Sequence, residues 1–145
     1  MGLVKDIQDL WILTESGIVL FYRVNNPKVN TQLFGALMSA FNSFAKGLMG
    51  TSEEISGFEI KSTRFTILKN VNIMFVASSY KNIKEKKINT QIKLIAQKFT
   101  DKYSTILNNL DDWNSEVTVF SDFNDELDDL VRKPIEKFWD GLLVS

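Results

Sequence analysis

The sequence predicts an α/β (α+β) fold, a three-layer α/β/α sandwich with a sheet between two layers of helix. Five short apolar runs and three helical patterns follow one another in the order β-β-α-β-β-β-α-α. Runs such as Leu10–Leu13 and Ile73–Ala77 are apolar on both faces, so they need helices above and below them. The chain has 145 residues, of which 44% are hydrophobic and 24% charged. These values suit a single domain over residues 1–145, with a core over about 8–132 and a helical tail over 133–145.

The first two runs, Leu10–Leu13 and Ile18–Tyr22, are predicted to form a β-hairpin. The four residues Thr14–Gly17 between them make a short turn, in which the glycine is available for a positive φ. Because both runs are apolar on both faces, we expect both strands to lie inside the sheet.

A first helix is predicted from Thr31 to about Met49, with Asn30 as its N-cap and Gly50 as its stop. Apolar residues recur in it at spacings of three and four, which predicts the face that packs on the sheet. This stripe is Leu33, Leu37, Phe41, Phe44 and Leu48, flanked by Phe34, Met38 and Ala45.

Three strands are expected next, at 55–62, 64–68 and 73–77. The first of them alternates, with Glu59 and Lys61 on the face opposite Phe58 and Ile60, which is typical of a half-exposed edge strand. The third is apolar throughout and is therefore expected at the centre of the sheet.

The second half of the chain is predicted to be mainly helical. A stripe with a period of 3.6 residues predicts one helix of about six turns. It consists of Ile88, Ile92, Ile95, Phe99, Tyr103, Ile106 and Leu110. A short extended run, Val117–Phe120, is expected before a last helix that begins at about Asp122 and that Pro134 kinks or ends.

This order of elements resembles that of the longin domain over about residues 8–132, beginning with the strand-turn-strand unit Leu10–Tyr22. Roadblock domains share the architecture but begin with a helix, and here only residues 1–8 precede the first strand. The resemblance implies a single five-stranded antiparallel sheet, with the first helix on one face and the last two on the other. It also implies a role in binding rather than catalysis, as a stand-alone longin-like subunit.

Longin and roadblock domains occur in vesicle-tethering complexes, adaptors, SNAREs, and platforms or regulators of small Ras-like GTPases, and many pair through the first helix and the third strand. The resemblance therefore implies a homodimer, or a heterodimer with another longin- or roadblock-type domain, and a small GTPase as a further partner. The absence of cysteine suits a cytoplasmic location, with peripheral membrane contact through partners.

The first helix has a second face of small residues that its apolar stripe does not explain. Solvated helix faces are usually rich in Glu, Lys and Gln, whereas small side chains let another backbone approach closely. We interpret this face as a partner interface; the alternatives are that a loop of the same chain covers it or that small residues are merely tolerated there. The face consists of Gly35, Ala36, Ser39, Ala40, Ser43 and Gly47.

Three further residues are candidates for the same kind of contact. Glu59 and Lys61 on the predicted edge strand would lie next to the first helix, where edge pairing adds main-chain hydrogen bonds. Guarding of the edge by charge is the alternative for both. Trp139 in the tail is a candidate anchor for a partner, or else a lid on the core.

The residues argue against most enzymes and against a metal or cofactor site. There is no histidine and no cysteine, and the acidic run from Asp122 has Leu127 and Lys133 where a calcium loop needs glycine and glutamate. The net charge of −1 does not favour nucleic acid, and no stretch is apolar enough to span a membrane. The basic loop Lys81–Lys87 is interpreted as solvated, with an acidic phospholipid or partner as the alternative.

Two other function classes stay open. A profilin-like sensor would hold a small ligand in a cavity among Phe58, Phe65, Phe75 and the phenylalanines of the first helix. An enzyme that uses only carboxylates and lysines would need a carboxylate cluster in a cleft.

Overall fold

The structure is a computed structural model that describes most of the chain, and the structural statements below concern only the described residues. These are residues 6–25, 34–41, 43, 55–70, 72–110 and 116–131. The strands are β1 (Asp9–Thr14), β2 (Val19–Val24), β3 (Ile55–Ile60), β4 (Thr63–Asn70) and β5 (Ile73–Tyr80). The helices are α1 (34–41, with Ser43 also helical), α2 (Glu85–Lys102), α3 (Ser104–Leu107), the 3-10 helix η1 (Val117–Phe120) and α4 (Phe123–Val131).

The five strands form one antiparallel sheet, as predicted, and their order in it is β2-β1-β5-β4-β3. β5 is the middle strand, and every residue in it except Tyr80 is buried, which confirms its predicted central place. The hairpin of β1 and β2 is also confirmed, with Gly17 at φ 98° in its turn. The expectation that both of its strands lie inside the sheet is wrong, because β2 is an edge strand and Tyr22 in it is 53% exposed.

Helices cover both faces of the sheet, as predicted. On one face α1 packs over a cluster that includes Trp11, Leu13 and Met74. On the other face α2, η1 and α4 pack over Ile12, Phe75 and their neighbours. Successive residues of β1 and β5 therefore alternate between two cores, and this explains why the runs Leu10–Leu13 and Ile73–Ala77 within them are apolar throughout.

The long second helix is shorter than predicted, because α2 ends at Lys102 and Tyr103 leaves the helical conformation at φ −114° and ψ 23°. The separate turn α3 follows it. The predicted stripe nevertheless packs as expected: Ile88, Ile92, Ile95, Phe99 and Tyr103 are buried, and Ile106 and Leu110 lie against the same core.

The run Val117–Phe120 is a 3-10 helix rather than the predicted extended segment. Its last residue, Phe120, is fully buried against the Phe99 ring, and its carbonyl oxygen accepts a hydrogen bond from the Tyr103 hydroxyl at 3.3 Å. This short helix therefore places the Phe120 ring in the core while Val117 and Val119 remain partly exposed. The following helix α4 begins close to the predicted residue, and its Phe123, Leu127 and Leu130 are buried.

Tyr103 gives the fold a dependence on alkaline pH. Burial raises the pKa of its hydroxyl from 10.0 to about 12, and the carboxylates of Asp122 and Glu126 add to the effect, against a hydrogen bond at the Phe123 backbone. Because the pKa is higher in the folded state, this contribution to stability is complete below pH 10 and is lost as the pH rises towards 12.

We therefore expect Tyr103→Phe to be less stable than the wild type near neutral pH, by about 1 kcal/mol for the lost hydrogen bond. Above pH 10 the difference in free energy of unfolding between the two proteins should become smaller, because only the wild type loses the stability that its protonated Tyr103 contributes. Urea unfolding of both proteins across this range measures the difference, since the two proteins differ only at residue 103. If both proteins lost the same amount of stability between pH 10 and pH 12, Tyr103 would not be the cause of the dependence on alkaline pH.

Candidate interaction surface

Helix α1 is seated on the sheet by two aromatic contacts. The Phe34 ring stacks on Trp11 with centroids 4.1 Å apart, and the Phe41 ring lies 5.6 Å from that of Phe58. Met38, between them on the same side, is 1% exposed. The buried stripe is thus Phe34, Met38 and Phe41, at spacings of four and three.

The predicted buried stripe is consequently wrong at Leu37, which is 58% exposed. Phe34 and Met38, which the sequence placed beside the stripe, are its centre. The helix is rotated so that its large aromatic side chains, rather than its leucine, meet Trp11 and the sheet. The other predicted members, Leu33, Phe44 and Leu48, lie outside the described residues, as does the predicted N-cap Asn30.

The side of α1 that faces away from the sheet is lined by small residues. Ala36, Ala40 and Ser43 follow one another at spacings of four and three, and all three are exposed. They carry no charge and little side chain, so a second backbone can approach this stripe closely. We call these three residues the small stripe.

Gly35 and Ser39 of the predicted small face turn towards the hairpin of the same chain. A Cβ at position 35 would collide with the carbonyl oxygen of Gly17 and would lie 3.2 Å from the Val19 Cγ2 atom. A Cβ at Gly17 would lie 3.3 Å from the Ser39 Cβ atom. The close contact with the hairpin turn of the same chain therefore explains why position 35 is a glycine. Gly47 and Trp139 lie outside the described residues.

The third strand lies at the edge of the sheet, next to α1, as the sequence predicts. Among the described strands, β3 pairs only with β4. Lys61 is not on this strand: it lies in the turn after Ile60, with φ at 55°. The predicted strand was too long because the turn contains no glycine or proline to mark it.

Glu59 is held by a contact that sequence reasoning did not find. Its carboxylate accepts a hydrogen bond from the Arg64 Nε atom at 3.4 Å, across the turn between β3 and β4. The same guanidinium donates to the carbonyl oxygens of Ile83 at 2.6 Å and Lys81 at 3.0 Å. Arg64 thereby ties the loop before α2 to the sheet. The signal in the sequence was an acid and a base five residues apart around a turn.

The cavity expected for a ligand sensor is not formed as predicted. Phe75 lies on the opposite face of the sheet from Phe58 and Phe65, whose rings stack at 4.9 Å. What the described residues do form on the α1 face is an open groove, lined in part by Phe34, Phe58 and Phe65.

Neither a metal site nor a membrane span emerges from the described residues. No three acidic side chains there come together in a group able to hold a metal ion. No helix within the described ranges has the length and apolarity needed to cross a bilayer.

Comparison with known proteins adds a family and several relatives in fold. The family model described as the first longin domain of FUZ, MON1 and HPS1 matches residues 8–112. MglB of Myxococcus xanthus superposes with a TM-score of 0.60 at 13% identity, covering 71% of this chain and 89% of that one. No curated protein matches the sequence.

Two more solved structures have the same architecture. A chain of the mammalian SRP receptor gives a TM-score of 0.51 at 16% identity, covering 87% of this chain and 93% of that one. The Roadblock/LC7 domain from Streptomyces avermitilis gives a TM-score of 0.50 at 14% identity, covering 66% of this chain and 90% of that one. At such identities these likenesses concern the fold alone.

Proposed function

We propose that this chain, which belongs to the family of the first longin domain of FUZ, MON1 and HPS1, is a non-enzymatic interaction domain that pairs with a second longin- or roadblock-type domain. The pairing surface in this proposal is the small stripe of α1 together with the outer edge of β3, with which no described strand pairs. The observation that carries it is the exposure of Ala36, Ala40 and Ser43 along one face of a helix that contacts the edge strand β3 through its Phe41.

Two physical arguments support pairing at this surface. Small side chains cost little conformational entropy when they are buried and allow two helices to approach closely. The outer edge of β3 presents main-chain donors and acceptors, and a strand from a partner would satisfy them. Glu59 lies on β3, where its carboxylate accepts a hydrogen bond from Arg64 and no described strand pairs with the outer edge.

For the test, Ala40→Arg places a long charged side chain in the middle of the small stripe. We expect light scattering after size exclusion to give twice the mass of 16.6 kDa for the wild type and the single mass for the variant. Gln97→Arg, at an exposed position of α2, is the matched control and should leave the dimer intact. Should the wild type be monomeric, the same pair of variants is tested on the complex captured from native cells.

Equal behaviour of the Ala40→Arg and Gln97→Arg variants, in the homodimer and in every captured complex, would refute pairing through this stripe. Circular dichroism of both variants separates lost pairing from lost folding, because an exposed substitution leaves the helical signal unchanged.

We further propose that the paired domain is a platform for, or a regulator of, a small Ras-like GTPase or a trafficking-type complex. Support for this step comes from the longin resemblance. Retention of native Ras-like GTPases on the immobilised chain, loaded with GDP or with a non-hydrolysable GTP analogue, is the test. A difference between the two nucleotide states supports regulation, equal retention supports a platform, and retention of none overturns the proposal.

A further inference from the structure

The helical layer formed by α2, η1 and α4 is divided into a basic part and an acidic part. Residues 81–102, which lead into α2 and form it, contain seven lysines and only two acidic residues. Residues 103–131, which lead to α4 and form it, contain eight acidic residues and no lysine or arginine. The net charge of the whole chain, −1, is therefore no guide to this layer, in which consecutive segments carry opposite charges.

Four lysines of α2 lie on the side of the helix that faces away from the sheet, whereas its isoleucines are buried against the core. Lys86 and Lys93 lie two turns apart along one flank of the outer side. Lys87 and Lys98 lie three turns apart along the other flank. All four are exposed, and none forms an ion pair with a described residue. We call these four residues the lysine face.

Acidic side chains cover the outer side of α4. Asp125 lies at the centre of this side, and Asp128 and Asp129 follow it at spacings of three and four. Asp122, just before the helix, is exposed as they are. Asp128 also pairs with Arg23 of β2 at 2.8 Å, and its side chain is still 62% exposed. We call the four aspartates the acidic face.

The two faces are neighbours, but they do not neutralise each other within the chain. The two helices meet where the Phe99 and Phe123 rings lie 5.1 Å apart, and the Lys102 Nζ atom lies 3.9 Å from the Glu126 Oε1 atom. This is the one ion pair that joins α2 and α4 in the described part of the chain, and neither residue belongs to the lysine face or the acidic face. Both faces are therefore exposed to solvent side by side.

A second copy of this chain carries both charges side by side, as a partner of this layer must. We infer that two copies associate through the layer, about a two-fold axis that places the lysine face of each copy on the acidic face of the other. Such a contact is self-complementary, because the same two faces meet twice. An anionic membrane would attract the lysine face but repel the acidic face beside it.

The contact is expected to be weak and sensitive to salt. Each exposed ion pair raises an affinity by up to about fivefold, and salt screens it. The layer adds some apolar surface, since Val117 and Val119 of η1 are 38% and 39% exposed. It lies on the opposite side of the sheet from α1, so the contact does not depend on pairing through the small stripe.

Sedimentation velocity at low ionic strength tests the contact. All measurements use the full chain with Ala40→Arg, which blocks pairing through the small stripe, so the result does not depend on whether that pairing occurs. In about 0.02 M salt we expect the sedimentation coefficient to rise with protein concentration. In about 0.5 M salt the rise should disappear, because counterions screen the exposed charges.

Charge reversal on either face should weaken the association. Lys93→Glu with Lys98→Glu reverses the lysine face, and Asp122→Lys with Asp125→Lys reverses the acidic face. Because two-fold symmetry counts every substitution twice, either double variant should weaken association about hundredfold or more.

The matched control is Lys61→Glu with Lys81→Glu, at exposed positions outside both faces. It makes the same change in net charge as the variant of the lysine face and should weaken association far less. Circular dichroism checks that every variant is folded. Should lysine at the start of α4 unfold the acidic variant by opposing the helix dipole, Asp122→Asn with Asp125→Asn takes its place and should also weaken association.

A mixture of the two charge-reversed proteins separates a specific contact from general repulsion. In the mixed dimer each reversed face meets a reversed complement, and the two unchanged faces meet as in the wild type. The mixture should therefore sediment faster at low salt than either variant does alone.

Three outcomes overturn the inference. The first is a sedimentation coefficient that does not rise with concentration at low salt. The second is equal weakening by the control and by the variant of the lysine face, and the third is a mixture of folded variants that sediments no faster than its components. If the chain instead sedimented with vesicles of phosphatidylserine and did not self-associate, the lysine face would belong to a membrane contact.

Discussion

Replacing Phe99 with alanine is expected to lower the free energy of unfolding by about 3–5 kcal/mol, the usual cost of emptying a buried phenylalanine site. The Phe99 side chain on α2 is fully buried. Its ring joins the sheet, the end of α2, η1 and α4, so the surrounding elements cannot close the cavity without moving together. The four ring-centroid distances are 5.8 Å to Phe75, 4.9 Å to Tyr103, 5.5 Å to Phe120 and 5.1 Å to Phe123.

Urea unfolding followed by circular dichroism measures this loss. Phe58→Ala is the matched control, because Phe58 is only half-buried and contacts Phe41 and Phe65 in the other layer. It should cost clearly less, since less apolar surface returns to water. If Phe99→Ala lowered the free energy of unfolding no more than Phe58→Ala does, the aromatic cluster around Phe99 would not be what holds α2 and α4 on the sheet.

The layers of the fold were predictable because the patterns that define them are local. Ile88, Ile92 and Ile95 repeat at helical spacing, and all three are buried. The unbroken apolar run of β5 required helices on both faces, and both faces are covered. Such patterns follow from the pitch of a helix and the alternation of a strand, which do not depend on distant residues.

What the sequence did not predict depends on contacts between distant segments. Two overlapping apolar stripes run along α1, and the contacts of Phe34 with Trp11 and of Phe41 with Phe58 decide which of them faces the sheet. The edge position of β2 could not be predicted from the sequence either, because apolar runs occur both in central strands and in edge strands that helices cover. Arg64 reaches residues 17 and 19 positions away, so no local pattern marks its role.

The exposed side of α1 was predicted in part, for a related reason. Six small residues on one helix indicated a face without bulky side chains, and three of them, Ala36, Ala40 and Ser43, form the exposed small stripe. Gly35 belongs to a different contact, with the hairpin. Composition cannot separate a small residue that admits a partner from one that admits a neighbouring loop of the same chain.

Gly35→Ala should make that distinction measurable, with an expected loss of about 1–3 kcal/mol from overpacking. At a helix position that contacts no other segment, the same substitution raises the free energy of unfolding by about 1 kcal/mol, because alanine has the higher helix propensity. The sign of the measured change therefore shows whether residue 35 contacts the hairpin. The added Cβ meets a backbone carbonyl of the hairpin turn, and no side-chain rotation relieves it. Gly17 is itself constrained, since its φ of 98° suits glycine alone and fixes the turn that carries this carbonyl.

Ala36→Gly is the matched control, because it makes the reverse change at the adjacent exposed position, where propensity alone should cost about 1 kcal/mol. A Gly35→Ala protein more stable than the wild type would mean that α1 does not touch the hairpin in solution. If it is destabilised as expected, α1 must shift away from Gly17, and the small stripe moves with it. We therefore expect Gly35→Ala to weaken pairing under conditions in which it is still folded, although residue 35 faces its own chain.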